Sequence, residues 1–250
     1  MNVFLLMIQL FTKVPVKKEI AFEEKKFSRG VIFFPLIGLI MGMIISLPTY
    51  LAELYFGREV SALIMIISSA AVTGALHLDG LADTMDGILS ARNRDKMLLI
   101  MKDSRIGTHG VLALIFTILV KYQFLLLVED SLFMFMVIAL PVAGRSVLGV
   151  MLLRSRYARE DGLGNLFIGK TEDLLSSASG VIGMFIIYAL LGINGIAAFG
   201  ITLLITALFR WRLDKILGGL SGDTLGAINE VAELIYIPLY IMIERGVSIL

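Results

Sequence analysis

The chain has 250 residues, 58% of them hydrophobic and 17% charged, with a mean hydropathy of +0.89. That is more apolar surface than one soluble core can hide, so the composition excludes a water-soluble globule and specifies an integral membrane protein. A net charge of +1 argues against nucleic acid as a partner, and the absence of cysteine excludes disulfides, thiolate metal ligands and a cysteine nucleophile.

In chain order, Val3 to Thr12 is apolar but only about ten residues long. It has no basic residue before it and no small-residue cleavage site after it, so it reads as an interfacial or re-entrant helix rather than a signal peptide. Charge-poor stretches follow at 30–52, 60–78, 111–128, 131–153, 174–192, 195–209 and 224–243. Most approach the roughly 20 residues that cross the hydrocarbon layer. The run from Leu174 to Phe209 is too long for one helix, and Gly192-Ile193-Asn194-Gly195 is the turn that divides it. The expected fold is all-α, a polytopic bundle of about seven membrane helices plus the N-terminal helix. No linker, low-complexity segment or repeat interrupts it, so 1–250 reads as a single domain.

Basic residues alternate between the loops. Lys13, Lys17, Lys18, Lys25, Lys26 and Arg29 precede the first span, and Arg92, Arg94, Lys96, Lys102 and Arg105 separate the second from the third. Arg154, Arg156, Arg159 and Lys170 follow the fourth, and Arg210, Arg212 and Lys215 follow the sixth. The intervening loops carry only Arg58, with Arg245 at the tail. The positive-inside rule therefore places the N-terminus and the basic loops in the cytoplasm.

The most informative motif is His77-Leu78-Asp79-Gly80-Leu81-Ala82-Asp83-Thr84-Met85-Asp86-Gly87. On a helix, Asp79, Asp83 and Asp86 fall within about 60° of one another, with no lysine or arginine among them. Such a face repels itself unless a cation neutralises it, so it suggests a hard oxygen site for Mg²⁺ or Mn²⁺ and phosphate chemistry. Three further polar segments share the predicted cytoplasmic side: Lys102 to Gly110, Glu160-Asp161-Gly162-Leu163-Gly164, and Gly218 to Gly226.

The runs HLDGLADTMDG, MKDSRIGTHG, EDGLG and GGLSGDTLGAINE together resemble the cobalamin synthase family, the adenosylcobinamide-GDP ribazoletransferases of prokaryotic vitamin B12 assembly. The resemblance extends from FLLMIQLFTKVPV to about Glu230, with Ser221 standing where threonine is expected. It implies a Mg²⁺-dependent transfer (Mn²⁺ as a substitute) in which the ribose 3′-hydroxyl of ribazole or its 5′-phosphate attacks adenosylcobinamide-GDP and expels GMP. The implied setting is the cytoplasmic membrane of a prokaryote, with the active site facing the cytoplasm and the lipid bilayer as the other partner; a homo-oligomer is compatible.

By the same resemblance Asp79, Asp83 and Asp86 bind metal, Asp103 and Asp86 are catalytic, and Asp103 is either a further ligand or the general base. Lys102, Arg105 and Arg145 are candidates to hold phosphates, and His77, Glu160 and Asp223 to touch substrate. Several residues keep a plainer alternative. Arg145 can snorkel, Lys121 can pair with Glu230 or Glu233, Asp223 can cap the last span, Glu160 can be a solvated loop residue, and His77 faces away from the aspartates and can be a structural hydrogen-bonder.

Asp83-Thr84-Met85-Asp86-Gly87 also looks like the start of the CDP-alcohol phosphotransferase signature, but Ala91-Arg92 comes one residue late and the later paired aspartates do not match. A cation-coupled transporter is the alternative from another class, and no internal repeat supports it. Gly164 to Thr171 satisfies the G-x4-G-K-[ST] phosphate-loop pattern, yet it lacks the flanking strand and helix that the motif needs.

Overall fold

The computed structural model describes residues 2–16 and 23–247. Lys17 and Lys18, two of the basic residues that bear on orientation, lie outside the described residues, as does the side chain of Lys25. Among the described residues the chain is helical, and the one pairing of extended type is an isolated bridge between Tyr157 and Leu220.

Helix α1 (Asn2–Phe11) buries Met7 and Phe11 against the start of the bundle, and a short α2 (Glu24–Ser28) follows. Helix α3 (Phe34–Phe56) opens with Pro35 in its first turn, where the missing N–H is harmless. Helix α4 (Arg58–Thr73) ends at Gly74, where the chain turns by 90° into α5 (Leu76–Ile88). Gly74 and Ala75 both take left-handed conformations (φ 62° and 58°), which no helix can continue. The second stretch, expected to run from 60 to 78, therefore stops at Thr73. Helix α5 touches α1, α6 (Arg94–Ile100) and the first turns of α7 (Thr108–Leu125) and α10 (Gly222–Val247).

Helix α8 (Asp130–Met151) is the most buried, packed among α3, α9 (Asp173–Leu217) and α10. A straight helix of 45 residues would reach about 67 Å, more than twice the hydrocarbon thickness. Instead Gly192 takes a non-helical conformation (φ 62°, ψ −156°) and α9 folds back on itself. Its two ends meet the same loop: Arg154 N donates to Asp173 at 3.2 Å, while Arg94 joins the carbonyls of Leu217 (2.8 Å) and Ala158 (2.9 Å). The expected division at Gly192 is thus a helical hairpin. Among the described residues, five helices are long and apolar enough to cross a membrane, six if the bent pair of α4 and α5 is one span. The second arm of α9 supplies one more crossing than that count.

The loops segregate to two ends. At one, Arg58 reaches Val128 O and Asp130, and Arg245 reaches Leu127 O. At the other, Lys13 N donates to Val72 O, Arg29 pairs with Glu172, and Arg94 clasps the 158 and 217 turns. The second end carries α5 and every polar segment singled out in the sequence.

Candidate active site

The acidic helix α5 is positioned by close approach. A Cβ on Gly80 would lie 2.7 Å from Asp223 O, and one on Gly226 would lie 3.1 Å from His77 O. The two glycines let α5 and α10 cross nearly backbone to backbone, which explains glycine beside the aspartates. The crossing sets Asp79 and Asp83 next to Asp223.

The three aspartates part company. Asp86 is buried, and its two oxygens accept the backbone N–H groups of Gly107 (2.7 Å) and Gly110 (2.8 Å), so it caps the N-terminus of α7 from another helix. Any Cβ on Gly107 or Gly110 would sit 2.5 Å from that carboxylate. Asp79 is exposed and Asp83 half-buried, and both line one recess. Burial first, then the charges of Asp79 and Asp223, push the Asp83 carboxyl up to about 7 against the opposing pull of Arg159. Among the described residues, no group of three or more His, Asp or Glu converges as a ready-made metal cage.

Two recesses flank α5. The first, about 330 Å³, is acidic and is lined by Asp79, Asp83, Lys102, Asp103 and Ser104 with Ala82, Met101 and Ile106. The second, about 230 Å³, is mainly apolar, walled by Leu10, Phe11, Phe34, Leu148, Phe167 and Leu225, with His77, Asp79, Tyr157, Arg159 and Asp223 at its polar end. Asp79 lines both.

The structure brings Lys102 and Asp103 to the acidic recess as expected. Arg105 clamps Asp103, with Nη2 donating to Oδ2 at 2.7 Å and Nε to Oδ1 at 3.1 Å. Those hydrogen bonds hold the Asp103 carboxyl down at about 2, a weak proton acceptor, and Arg105 itself is exposed and lines neither recess. Asp223 does not cap α10. Ser221 does so, its Oγ accepting Thr224 N at 3.3 Å while Thr224 Oγ1 accepts Ser221 N at 2.7 Å, and Asp223 is left to pair with Arg159 at 2.5 Å.

Arg145 sits in neither recess. It is 1% exposed, and its guanidinium bonds Glu233 through Nη1 and His77 Nδ1 through Nη2 at 3.1 Å. An arginine only donates, so Nδ1 accepts and the neutral His77 ring carries its proton on Nε2. Lys121 completes the set, donating to Glu230 (2.7 Å) and Glu233 (2.9 Å), and Asn229 adds a bond to Glu233 (3.1 Å). Two cations meet two anions inside the bundle, which is the ion-pair alternative for Lys121. His77 thus has both of its readings: it is held by Arg145, and it lines the apolar recess.

Glu160 is exposed and outside both recesses. Its neighbour Arg159 takes the place expected of it, a residue that sequence reasoning passed over because nothing in the 154–164 loop distinguishes one arginine from the others. The phosphate-loop look-alike is a 3₁₀ turn (Leu163–Leu166) followed by irregular chain, with no strand before it.

Comparison with known proteins gives one consistent result. Residues 3–241 match the family model described as cobalamin-5-phosphate synthase. Among similar curated proteins, one from Shigella flexneri is 40% identical over 241 residues, covering 94% of this chain and 98% of the relative. One from Klebsiella pneumoniae (strain 342) is 42% identical over 226 residues (90% and 92%), and one from Clostridium novyi is 36% identical over 237 residues (94% and 95%). All three are named adenosylcobinamide-GDP ribazoletransferase. No solved structure matches the chain.

Proposed function

The chain belongs to the cobalamin-5-phosphate synthase family, and on that premise we propose that it joins adenosylcobinamide-GDP to ribazole or ribazole 5′-phosphate, the last joining step of cobalamin synthesis. The acceptor's ribose 3′-hydroxyl oxygen forms a bond to the phosphorus on the aminopropanol arm, the bond from that phosphorus to the GMP oxygen breaks, and the hydroxyl proton leaves to a carboxylate. Family membership displaces the CDP-alcohol and transporter readings.

The observation that carries the site assignment is that a single carboxylate, Asp79, borders both an acidic recess and an apolar one. A two-substrate transfer needs its donor and acceptor side by side with a charged group between them. Asp79 and Asp83 suit a Mg²⁺ or Mn²⁺ ion. Burial, then the charges of Asp79 and Asp223, raise the Asp83 carboxyl, and Mg²⁺ ordinarily joins one or two carboxylates to substrate phosphates rather than occupying an all-protein cage. When bound, such an ion neutralises charge developing on the GMP leaving group.

The remaining work falls to side chains. Lys102 at the rim of the acidic recess offers a cation to the pyrophosphate. Asp103, clamped by Arg105, stays ionised and shapes the rim instead of taking the proton. We assign its acceptance to Asp79, which borders both recesses. Asp86 acts through α7, by fixing the segment that carries Lys102 and Asp103 against α5. The same reading sets the protein across the cytoplasmic membrane, with the α5 end inside, where the basic loops gather.

Purified protein given adenosylcobinamide-GDP, ribazole phosphate and Mg²⁺ should yield cobalamin phosphate and GMP in equal amounts by mass spectrometry. GMP released without a joined corrinoid product, or no turnover at all, would overturn the proposal.

A further inference from the structure

The apolar recess is better furnished than a generic active-site wall, and its furniture identifies its occupant. We propose that it seats the base of the nucleoside acceptor, with the sugar turned toward Asp79; this rests on the transferase reading above. A cavity of about 150 Å³ accepts a single benzene ring. At about 230 Å³ this one has room for the two fused rings of a benzimidazole, and none for a corrin macrocycle.

Its wall is preformed. Phe11 and Phe34 meet edge to face at 4.8 Å, and Phe34 and Phe167 do so at 5.3 Å, so three rings hold one another before any ligand arrives. Such a surface suits a flat, uncharged aromatic base. Guanine carries polar groups around its edge, and the apolar end offers none to pair with them.

The polar end fits the rest of a nucleoside. Arg159 Nε is buried without a hydrogen-bond partner in the protein, although the same guanidinium pairs with Asp223. Arg159 lines this end of the recess, and its guanidinium gives a cation to a ribose hydroxyl or 5′-phosphate there. Asp79 lies at the junction with the acidic recess, so a sugar hydroxyl anchored here points toward the phosphorus held there. The binding seat thereby selects which substrate is attacked and which attacks.

The test uses the full-length protein in detergent. Leu76 and Leu163 line the recess from its exposed side, at 40% and 67% exposure, so Leu76→Trp and Leu163→Trp fill it without disturbing the core. Calorimetric titration with ribazole alone should show at least tenfold weaker binding to each variant. The KM for ribazole should rise by a similar factor while the KM for adenosylcobinamide-GDP stays within twofold of wild type.

With the unaltered protein, free dimethylbenzimidazole should compete with ribazole and not with adenosylcobinamide-GDP. That arm stands even where a variant fails to fold. Unchanged ribazole affinity in both variants, a selective rise in the adenosylcobinamide-GDP KM, or no competition by the free base would each overturn the seat. A wild-type protein that makes cobalamin phosphate while the variants behave so refutes the seat alone; one that makes none refutes the transferase reading.

Discussion

Glu233→Gln removes one of two negative charges from a buried set that holds two positive ones, and the surrounding contacts fix the consequence. Glu233 is 2% exposed and receives hydrogen bonds from Arg145, Lys121 and Asn229. With the carboxylate neutralised, Lys121 keeps Glu230, but Arg145 keeps only the neutral His77 ring. An uncompensated buried cation of this kind costs about 3–5 kcal/mol when its partner is removed. Glu230→Gln should cost less, because Lys121 retains Glu233.

The double variant Arg145→Met with Glu233→Leu removes one charge of each sign and leaves the Lys121–Glu230 pair intact. It should cost at least about 1 kcal/mol less than Arg145→Met and Glu233→Leu cost in sum, a coupling within the range for contacting residues. Reversible unfolding of detergent-solubilised protein, followed by circular dichroism, measures all of these. Glu233→Gln lying within about 1 kcal/mol of wild type, or strict additivity in the double variant, would refute the charge-balance reasoning.

Asp83→Asn should lower turnover at least about 100-fold without loss of stability, and above pH 7 it should raise the unfolding midpoint of the metal-free protein, since Asp83 makes no structural hydrogen bond and the fold disfavours its ionised form. Because its folded pKa, about 7, lies above the ordinary carboxyl value, the stability this carboxyl contributes is full below about pH 4 and is lost as pH rises through 7. Metal-free protein should accordingly show a midpoint that falls across that window, and Mg²⁺ should bind more weakly at pH 6 than at pH 8; a midpoint and affinity both flat with pH would exclude the raised carboxyl. Asp86→Ala should behave in the opposite way to Asp83→Asn, costing about 1–3 kcal/mol by unsatisfying the N–H groups of Gly107 and Gly110, which thermal unfolding reads directly. Single cysteines at Ser90 and Glu160 should react with an impermeant maleimide only from the cytoplasmic side and one at Ser131 only from outside, and shared sidedness would break the orientation.

The spans, the turn at Gly192 and the carboxylate face of α5 were legible because each follows from local periodicity or composition. The pairing of Lys121 with Glu230 or Glu233 was legible because a mid-span cation must find an anion somewhere in a bundle this apolar. What stayed hidden was tertiary. Gly74 marks the bend into α5, but a lone glycine in a helical run does not announce a 90° turn, and Ala75 gives no local signal for its left-handed conformation. The three aspartates share a face by geometry, yet the amides of Gly107 and Gly110, 21 and 24 residues further on, draw Asp86 away from the other two. Arg145 has the chemistry to hold phosphate but is bonded to Glu233 and His77, while Ser221 and Thr224 cap α10 and Asp223 pairs with Arg159 instead.

The order of the buried charges along the chain bears on how the protein is made. Lys121 and Arg145 belong to α7 and α8, which leave the ribosome well before α10 delivers Glu230 and Glu233. Lys121 and Arg145 lie four and six residues from the ends of α7 and α8, and a cation inside the membrane is costly without a partner, so both depend on anions that the last helix brings. Helix α10 is therefore the element whose docking pairs both cations. Its arrival completes the charge set and, through the Gly80–Gly226 crossing, the active site in the same event.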